Sequence, residues 1–345
     1  MSKVRVGIIN VTGYIGMDLA RLLYGHPEVD LISVTGRSAA GQRLGDIVPH
    51  LADINLEITT ELDLVDLVFS ALPHGENIET VVSLLEKDVR VVDISADFRL
   101  KDAAEYQKWY KQKHSAPDYL NRAVYGLTEL NRDKIKNARL VANPGCYPTG
   151  AILALAPALK QSLVNPDIIF DSKSGASGAG RTLTLHTHYA ELNENIAAYA
   201  LEGHRHLPEI VQELTVISGK PTLYVTFVPH LVPMTRGILT TCYSSLIDGV
   251  LAGKKPQSEI MDIYKEFYAK EPFVRVVNTP PRTKQTWGSN ICLIYPSIDI
   301  RTNRLIVISC IDNLVKGGAG QAIQNMNLML GFPEKAGLES LPVYP

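Results

Sequence analysis

The sequence lacks the features that would place the chain in a membrane or on a nucleic acid. None of its 345 residues lies in an uncharged apolar run of the roughly 18 residues that a membrane span needs, and no signal-peptide core follows the N-terminus. Lys and Arg number 34 against 36 Asp and Glu, so the net charge is −2 and no basic surface is indicated. We therefore expect a cytoplasmic protein with neither a membrane nor a nucleic-acid partner.

Cysteine is also scarce, and its spacing excludes two common kinds of site. The four cysteines share no C-x-x-C spacing, so neither a zinc site nor a disulfide framework is indicated. Three of them lie in apolar, β-rich runs, where cysteine is usually a small buried hydrophobe: Cys242, Cys292 and Cys310. Cys146 differs, because in ANPGCYPTG it stands between a Pro-Gly pair and a second proline, where a core side chain is hard to pack. This placement indicates chemistry.

The patterning predicts two domains of different architecture. From Val4 to about Ala142, short β-branched segments alternate with amphipathic helical ones, a rhythm typical of a parallel sheet with crossover helices. After this region one apolar helix precedes long, closely spaced strand-like runs, which fit a mixed or antiparallel sheet. We predict an α/β protein with a Rossmann-type domain at 1–145, joined by a C-terminal helix at about 317–345, and an α+β domain at 146–316.

The segment VGIINVTGYIG joins the first predicted strand to the first helix and has the glycines of a dinucleotide-binding loop. Gly7, Gly13 and Gly16 fall where a tight turn and a close approach to pyrophosphate are needed, and the helix start offers free N–H groups. Asn10 replaces a usual glycine, and asparagine is the next best residue at positive φ. The alternative is an ordinary glycine-rich βα turn. The expected cofactor contacts in this loop are Thr12, Gly13, Tyr14, Ile15 and Gly16.

The end of the second predicted strand indicates which dinucleotide is bound. VDLISV runs into TGRS without the acidic residue that an NAD-specific enzyme places against the ribose 2′-hydroxyl. Arg37 and Ser38 stand there instead, and they suit a 2′-phosphate. NADP(H) is therefore preferred to NAD(H), the alternative being that Arg37 is only a solvated loop residue.

Cys146 has the sequence context of a nucleophile. It follows the last predicted strand of the first domain, and Pro148 is a residue favoured in the first turn of a helix. A helix start favours the thiolate, which is the species that attacks carbon. A nucleotide domain that ends in an exposed cysteine indicates covalent aldehyde chemistry, in which hydride passes between a nicotinamide and a sulfur-bound acyl group.

The segment GHRHLPEI, at 203–210, supplies a candidate acid/base. His206 is predicted for this role, with Glu209 three residues later to orient or tune it, and the alternative is a surface or helix-capping histidine. His204 and His206 could also mark a metal site. In an extended chain, however, their side chains point in opposite directions, and no cysteine is near in sequence, so we expect no metal.

Two further segments are placed to bind an anion. SGASGAGR, at 174–181, follows a predicted strand and would bring backbone N–H groups and Arg181 to an anion, unless it is a flexible hairpin turn. Arg99, in SADFRL after another strand, is the second candidate. Either arginine could hold a phosphate or a carboxylate.

Taken in order, these blocks resemble one family along almost the whole chain. The sequence is similar to the N-acetyl-γ-glutamyl-phosphate reductases of arginine biosynthesis, within the wider semialdehyde dehydrogenase group. The matching blocks are TGYIG, ALPHG, DISADFRL, ANPGCYPTGA, SGASGAGR, GHRHLPEI, VPHLVPMTRGI and DNLVKGGAGQAIQNMN. The family usually has glycine where Asn10 stands.

The resemblance implies roles for residues that spacing alone does not assign. It implies that Cys146 is the nucleophile, that His206 is the acid/base, and that Asn313 lies near the nicotinamide of NADP. It also implies a homo-oligomer, which we expect to be a homodimer or homotetramer. Arg99 and Arg181 are expected at the substrate together with Asn143, Ser174, Gly175 and His204. Further contacts to the cofactor are expected from Leu72, Pro73, Ser177 and Gly178.

The implied activity is NADPH-dependent reduction of N-acetyl-L-glutamyl 5-phosphate to N-acetyl-L-glutamate 5-semialdehyde and phosphate, through a thioester on Cys146. One alternative is the related reductase of lysine biosynthesis, which takes aminoadipyl phosphate on a small acidic carrier protein. Aspartate-semialdehyde dehydrogenase fits less well, because its cysteine and histidine blocks are spelled differently. A non-catalytic NADP-binding redox sensor switched by Cys146 is an alternative of another class, but it has no need of the HRH and SGAGR blocks.

Overall fold

The computed structural model describes residues 3–251 and 255–345. The strands are β1 (Val4–Ile9), β2 (Val29–Thr35), β3 (Ile58–Thr59), β4 (Leu67–Ser70), β5 (Arg90–Asp93), β6 (Val124–Tyr125), β7 (Leu140–Ala142), β8 (Val164–Ser174), β9 (Ala197–Ala198), β10 (Tyr224–Leu231), β11 (Ile238–Leu246), β12 (Val274–Val276), β13 (Cys292–Asp299) and β14 (Arg304–Ile311). The α-helices are α1 (Tyr14–Tyr24), α2 (Leu44–Ile47), α3 (Ile78–Glu86), α4 (Ala103–Tyr110), α5 (Thr128–Lys136), α6 (Cys146–Lys160), α7 (Tyr189–Leu192), α8 (Leu207–Ser218), α9 (Pro256–Phe267) and α10 (Gly320–Met329).

The chain divides into two compact units. The first comprises the residues up to Gly145 together with Gly318–Ser340, and the second comprises Cys146–Gly317 with Leu341–Pro345. The last five residues therefore belong with the second unit, where the Val343 N–H donates to the Trp287 carbonyl at 2.9 Å. The domain boundary proposed from the sequence included these residues in the first domain, and the structure differs there.

The first unit is built on a parallel sheet with the strand order β3-β2-β1-β4-β5-β7-β6. Its central strand β4 is buried at every position, as strands covered by helices on both faces are. The order reverses between β1 and β4, and ligands of such sheets bind beyond the carboxyl ends of the strands at this point. The loops after β1 and β4 are therefore placed for a ligand.

The helix predicted at about 317–345 is shorter in the structure. A π-helical turn over Val315–Ala319 leads into the α-helix Gly320–Met329, which ends early because Gly331 takes a positive φ of 73° and Pro333 cannot continue a helix. All of its residues are buried in the first unit. There Gln321 donates to the Gly126 carbonyl at 3.0 Å, and Asn325 donates to the same oxygen at 2.8 Å.

The second unit is built on a mixed sheet with the order β12-β13-β14-β11-β8-β10-β9. Two of its strand pairs, β8 with β10 and β12 with β13, are parallel, while β11 pairs antiparallel with both β8 and β14. Buried and half-buried residues alternate along β11, and helix α6 packs on β11 and β14. The predicted fold, a Rossmann-type parallel sheet and a second domain with a mixed sheet, is confirmed.

Candidate functional site

The loop between β1 and α1 has the conformation that a dinucleotide site requires. Asn10 takes a φ of +64°, which confirms the expectation that it replaces a glycine at positive φ. Its side-chain Nδ2 donates to the Ala71 carbonyl at 2.8 Å, and this bond ties the loop after β1 to the loop after β4. The asparagine therefore supplies both the turn and a brace that a glycine would not provide.

Gly16 and Gly13 of this loop differ in whether the surrounding structure leaves room for a side chain. A Cβ on Gly16 would lie 2.5 Å from the Asn10 carbonyl oxygen and 2.7 Å from Val11 Cα, so the chain's own backbone excludes a side chain there. A Cβ on Gly13 would come no nearer than 3.7 Å to another described atom. Helix α1 has no side-chain cap, and its first N–H groups are the kind that bind phosphate. These residues fit a dinucleotide pyrophosphate.

Replacing Gly16 by alanine is expected to lower the free energy of unfolding by about 1–3 kcal/mol, because backbone atoms must shift to admit the methyl group. NADPH affinity should fall with it, since the same backbone forms the loop. Gly25→Ala, at the other end of α1, is the control, because a Cβ there meets nothing within 4 Å. Urea unfolding and fluorescence titration with NADPH measure both effects, and equal stabilities of the two variants would contradict the steric argument.

The remaining predicted cofactor residues of the first unit lie at the surface of neighbouring loops. Arg37 and Ser38, beyond β2, are exposed, and the Arg37 guanidinium forms an ion pair with Glu76 beyond β4. The side chains of Arg37 and Glu76 are 76% and 47% exposed, so the pair contributes little to stability and is easily exchanged for another anion. Leu72 is half-buried and Pro73 exposed.

Two predicted substrate residues are instead buried within the first unit. Arg99 is 6% exposed and donates to the Ile94 carbonyl at 2.8 Å. Asn143 is fully buried, donating to the Gly318 carbonyl and accepting from Asn325, each at 3.1 Å. The Asn143 amide is thus engaged in the packing of α10 and of the residue Gly318 that precedes it. Substrate contacts by these two residues stay predictions.

Cys146 is the first residue of α6, and Pro148 lies in the first turn of that helix, as the sequence indicated. Its side chain is half-buried, whereas the other three cysteines are fully buried. Burial raises the pKa of the Cys310 thiol to about 12 and raises that of Cys242 as well, so both are inert near neutral pH. Cys146 is therefore the thiol with the access that a nucleophile needs.

Aromatic and histidine rings gather around Tyr147, the residue that follows Cys146 in the second unit. The ring of Tyr147 lies 5.6 Å from that of His204 and 5.9 Å from that of His206, measured between centroids. The Tyr147 hydroxyl is hydrogen-bonded to that of Tyr199 at 3.0 Å. Burial raises the pKa of Tyr199 to about 12, so this phenol keeps its proton and can donate it in a hydrogen bond at neutral pH.

The expectation that His204 and His206 point in opposite directions is wrong. Their ring centroids are 4.8 Å apart, because the chain turns here and His206 has helical angles (φ −82°, ψ −12°) rather than extended ones. Even so, no group of potential metal ligands occurs in the described part of the chain. His206 does stand at the N-cap of α8, but its side chain makes no capping hydrogen bond there. Glu209 is buried in the first turn of that helix.

His204 is neutral at physiological pH. Burial and the charge of Arg205 lower its pKa to about 4, and its Nδ1 accepts the backbone N–H of His206 at 3.0 Å. The proton of the neutral ring is therefore on Nε2. His204 therefore acts as a fixed acceptor that shapes the turn before α8, and a proton-carrying role for His206 stays a prediction.

The lowered pKa of His204 predicts a loss of stability in acid. Between about pH 6.5 and 4 the unfolded chain binds a proton at His204 that the folded chain excludes, so the free energy of unfolding falls as the pH falls. The contribution is about 3 kcal/mol. His204→Gln should remove it, which urea unfolding at pH 7.5 and 4.5 would detect as a smaller acid loss in the variant. Equal losses in both proteins would contradict the assignment.

The loop SGASGAGR is not a flexible hairpin turn over its first residues. A Cβ on Gly175 would lie 2.8 Å from the Met234 and Thr235 carbonyl oxygens, so glycine is required where the two loops cross. Ser177 Oγ donates to the Thr235 carbonyl at 2.6 Å. Ser174 is buried, Gly178 is exposed, and Arg181 follows in exposed chain.

Asn313 holds this pair of loops together. Its Oδ1 accepts the Gly237 N–H at 2.7 Å, and its Nδ2 donates to Ser177 Oγ at 3.0 Å. The predicted cofactor residues Ser177, Gly178 and Asn313 are thus neighbours. A contact of Asn313 with the nicotinamide stays a prediction, since the structure shows its amide engaged within the second unit.

Sequence reasoning missed three residues of this region. Tyr147 follows the cysteine directly in ANPGCYPTG, so a search of that block for aromatic neighbours would have found it. Tyr199 lies 53 positions from Cys146 in a segment without a motif, and no signal in the sequence links the two. Asp312 precedes Asn313 in DNLVKG, but an aspartate directly after a strand-like run is common and did not indicate a function.

Comparisons with known proteins agree with this geometry. Residues 5–138 match the family model for the semialdehyde dehydrogenase NAD binding domain, and residues 146–313 match that for the semialdehyde dehydrogenase dimerisation domain. The fold is similar to that of aspartate semialdehyde dehydrogenase II from Vibrio cholerae, with a TM-score of 0.74 and 17% identity over 96% of this chain and 99% of that one. The chain is a semialdehyde dehydrogenase by class, with a domain for a nicotinamide dinucleotide.

Curated relatives define the family more narrowly. The chain is 56% identical to a protein from Dehalococcoides mccartyi over 100% of both chains, and 50% identical to one from Symbiobacterium thermophilum over 99% of both. A protein from Heliobacterium modesticaldum is 46% identical over 99% of this chain and 100% of its own. All three are named N-acetyl-gamma-glutamyl-phosphate reductase. This chain belongs to the N-acetyl-γ-glutamyl-phosphate reductase family.

Proposed function

We propose that the protein reduces N-acetyl-L-glutamyl 5-phosphate to N-acetyl-L-glutamate 5-semialdehyde and phosphate, with NADPH, in arginine biosynthesis. The observation that carries the proposal is the half-buried thiol of Cys146 at the start of α6, followed directly by Tyr147, whose ring packs against those of His204 and His206. The names of the relatives support the substrate. An acyl phosphate suits this site, because a thiolate attacks its carbonyl carbon and phosphate leaves readily.

The reaction uses the chain's own groups in sequence. The Cys146 thiolate attacks the acyl carbon, and the bond to phosphate oxygen breaks, which leaves a thioester and free phosphate. Bound NADPH supplies the hydride that takes the acyl group to the aldehyde oxidation level. Hydrogen-bond donors stabilise the oxyanion of the thiohemiacetal, and the Tyr199 hydroxyl, which is bonded to that of Tyr147 beside Cys146 in sequence, is the candidate donor. A ring nitrogen of His206 carries the proton as the carbon–sulfur bond breaks and the aldehyde leaves.

The reverse reaction tests this function directly. N-acetylglutamate semialdehyde and NADP are mixed with the protein, and NADPH absorbance is followed with and without phosphate. We expect NADPH to form only when phosphate is present. Activity confined to a carrier-bound aminoadipyl semialdehyde would instead identify the reductase of lysine biosynthesis. No phosphate-dependent reduction of NADP, with reversible oxidation of Cys146, would favour the redox sensor.

NADP as the particular cofactor is supported by Arg37. Replacing Arg37 by alanine should weaken NADPH binding about 10- to 100-fold, the worth of a charge-assisted hydrogen bond to the 2′-phosphate, and leave NADH binding nearly unchanged. Arg43→Ala is the matched control, since Arg43 is also exposed in the first unit and its guanidinium donates to Asn55 Oδ1 at 3.1 Å. Fluorescence titration measures all four affinities. Equal losses for NADH and NADPH would contradict a role at the 2′-phosphate.

An oligomer is supported by the description of the second family domain as a dimerisation domain. The segment between α6 and α8 also exposes apolar side chains that water disfavours and that a second copy of the chain would cover. They are Leu183, Leu185, Tyr189, Ile196 and Leu201, each at least 65% exposed. We propose a homodimer or homotetramer, and light scattering after size-exclusion chromatography measures which of the two forms.

A cytoplasmic location is supported by the cysteine chemistry. The cysteines in the described part of the chain are free thiols, and the reaction needs Cys146 as a thiolate, a state that a reducing compartment maintains. Across the described residues, none of the helices has the length and apolarity to cross a membrane. Cell fractionation with an antibody to the chain tests the location.

A further inference from the structure

Asp312 is a fully buried carboxylate with an unusually large set of partners. It directly follows β14 and has 0% of its surface exposed. Its Oδ1 accepts the N–H groups of Leu314 at 2.8 Å and Val315 at 3.2 Å. Its Oδ2 accepts the Gly288 N–H at 2.8 Å and lies 3.5 Å from Arg236 Nη1. Burying a charge costs free energy of folding unless the charge is paired and hydrogen-bonded in this way. The number of partners therefore indicates that the Asp312 carboxylate has a specific role.

The turn that Asp312 holds lies directly against the nucleophile. The Asp312 carbonyl accepts the Gly317 N–H at 2.9 Å, which closes the π-helical turn that includes Val315–Ala319. A Cβ built on Gly317 would lie 2.8 Å from Cys146 Cβ and 3.1 Å from Cys146 Cα. The bare backbone of Gly317 is therefore one wall of the Cys146 side chain, and the Asp312 carboxylate fixes where that wall stands.

Asp312 also reaches the second loop system of this unit. Arg236 stands between Thr235, whose carbonyl accepts from Ser177, and Gly237, whose N–H is held by Asn313. The Trp287 Nε1–H donates to the Arg236 carbonyl at 3.1 Å, so Arg236 is anchored at both its backbone and its guanidinium. The Asp312 carboxylate thus connects the Gly317 backbone beside Cys146 to the loop of Arg236, which crosses the segment SGASG.

We propose that Asp312 is a positioning residue of the reaction, which sets the placement of Cys146 through the Gly317 turn. The inference rests on the proposed function for its catalytic meaning, but the placement of the thiol is independent of substrate and cofactor. Asp312→Asn keeps the size of the side chain yet puts an N–H donor where either the turn or Gly288 needs an acceptor, and it removes the charge that pairs with Arg236. The turn should then shift, and Cys146 with it.

Alkylation by iodoacetamide reports on Cys146 without the enzyme reaction, because the other cysteines are buried. We expect Asp312→Asn to move the midpoint of the pH profile of alkylation and to lower kcat about 10- to 100-fold, with a much smaller change in KM. Asp299→Asn is the matched control. It neutralises an aspartate of the same sheet whose carboxylate pairs with the exposed Arg301. The pH profile of alkylation and kcat should both stay as in the wild type.

Gly317→Ala disturbs the same contact from the other side, without removing any bond of Asp312, and should shift the alkylation profile as well. If Asp312→Asn does not fold, Gly317→Ala still tests whether the position of this turn controls the reactivity of Cys146. A folded Asp312→Asn with a lowered Tm and an unchanged alkylation profile would make the residue merely structural and overturn the proposal. An unchanged profile in Gly317→Ala would overturn it too. If the alkylation profile shifts in a protein that shows no reductase activity, the positioning is upheld while the proposed function fails.

Discussion

Replacing Cys146 by alanine is expected to lower kcat/KM by at least about 10⁴-fold, because the thioester cannot form without the sulfur. NADPH binding should be nearly unchanged, since the predicted dinucleotide loop belongs to the first unit and Cys146 to the second. Phosphate-dependent NADPH formation measures the first effect and fluorescence titration the second. Cys242→Ala is the matched control, because this thiol is fully buried in β11 and its raised pKa keeps it protonated.

Cys146→Ser makes the same test with a smaller change of shape. A serine hydroxyl has no comparable anionic form near neutral pH, so acyl transfer should still be lost. Near-normal turnover by the serine variant would exclude the covalent route, whatever the fate of the alanine variant. Loss of NADPH binding in either variant would show instead that the substitution disturbs more than the nucleophile.

The sequence predicts those features that depend on neighbours along the chain. The order of strand, loop and helix around Gly13 and Gly16, the positive φ of Asn10 and the start of a helix at Cys146 are local, and each was predicted from residue chemistry. His206 was proposed as the acid/base from its place three residues before Glu209 and from the family block GHRHLPEI, and this role stays a prediction. Local patterns have this power because turns and helix starts are decided by a few residues.

Contacts between distant segments were not predictable in this way. Tyr199 meets Tyr147 only because β9 pairs with β10, and the two histidines meet only because the chain turns before α8. Asp312 gathers N–H groups from its own turn and from Gly288, 24 positions earlier. An aspartate at a strand end can have the same sequence neighbours whether its side chain faces water or a buried turn. Its role is therefore set by tertiary structure alone.

Replacing His206 by glutamine is expected to lower kcat about 10²- to 10⁴-fold, the usual worth of a positioned acid/base. Glutamine keeps a hydrogen-bonding side chain at the N-cap of α8 but cannot carry the proton. The pH dependence of kcat should therefore lose the limb that reports the imidazole. His204 cannot take over this role, because its pKa of about 4 keeps it deprotonated at the pH of the reaction. Steady-state rates between pH 5.5 and 9 measure the change.

Measuring thioester formation separates the acid/base role of His206 from the nucleophilic role of Cys146. If His206 acts on the breakdown of the thiohemiacetal, the His206→Gln variant should still release phosphate from the acyl phosphate in one rapid turnover and then stall. His50→Gln, at an exposed position of the first unit, should behave as the wild type does. A variant that neither releases phosphate nor reduces the acyl group would place His206 earlier, in activation of the Cys146 thiol, and the proton carrier of the last step would have to be sought among the other polar groups of the cluster.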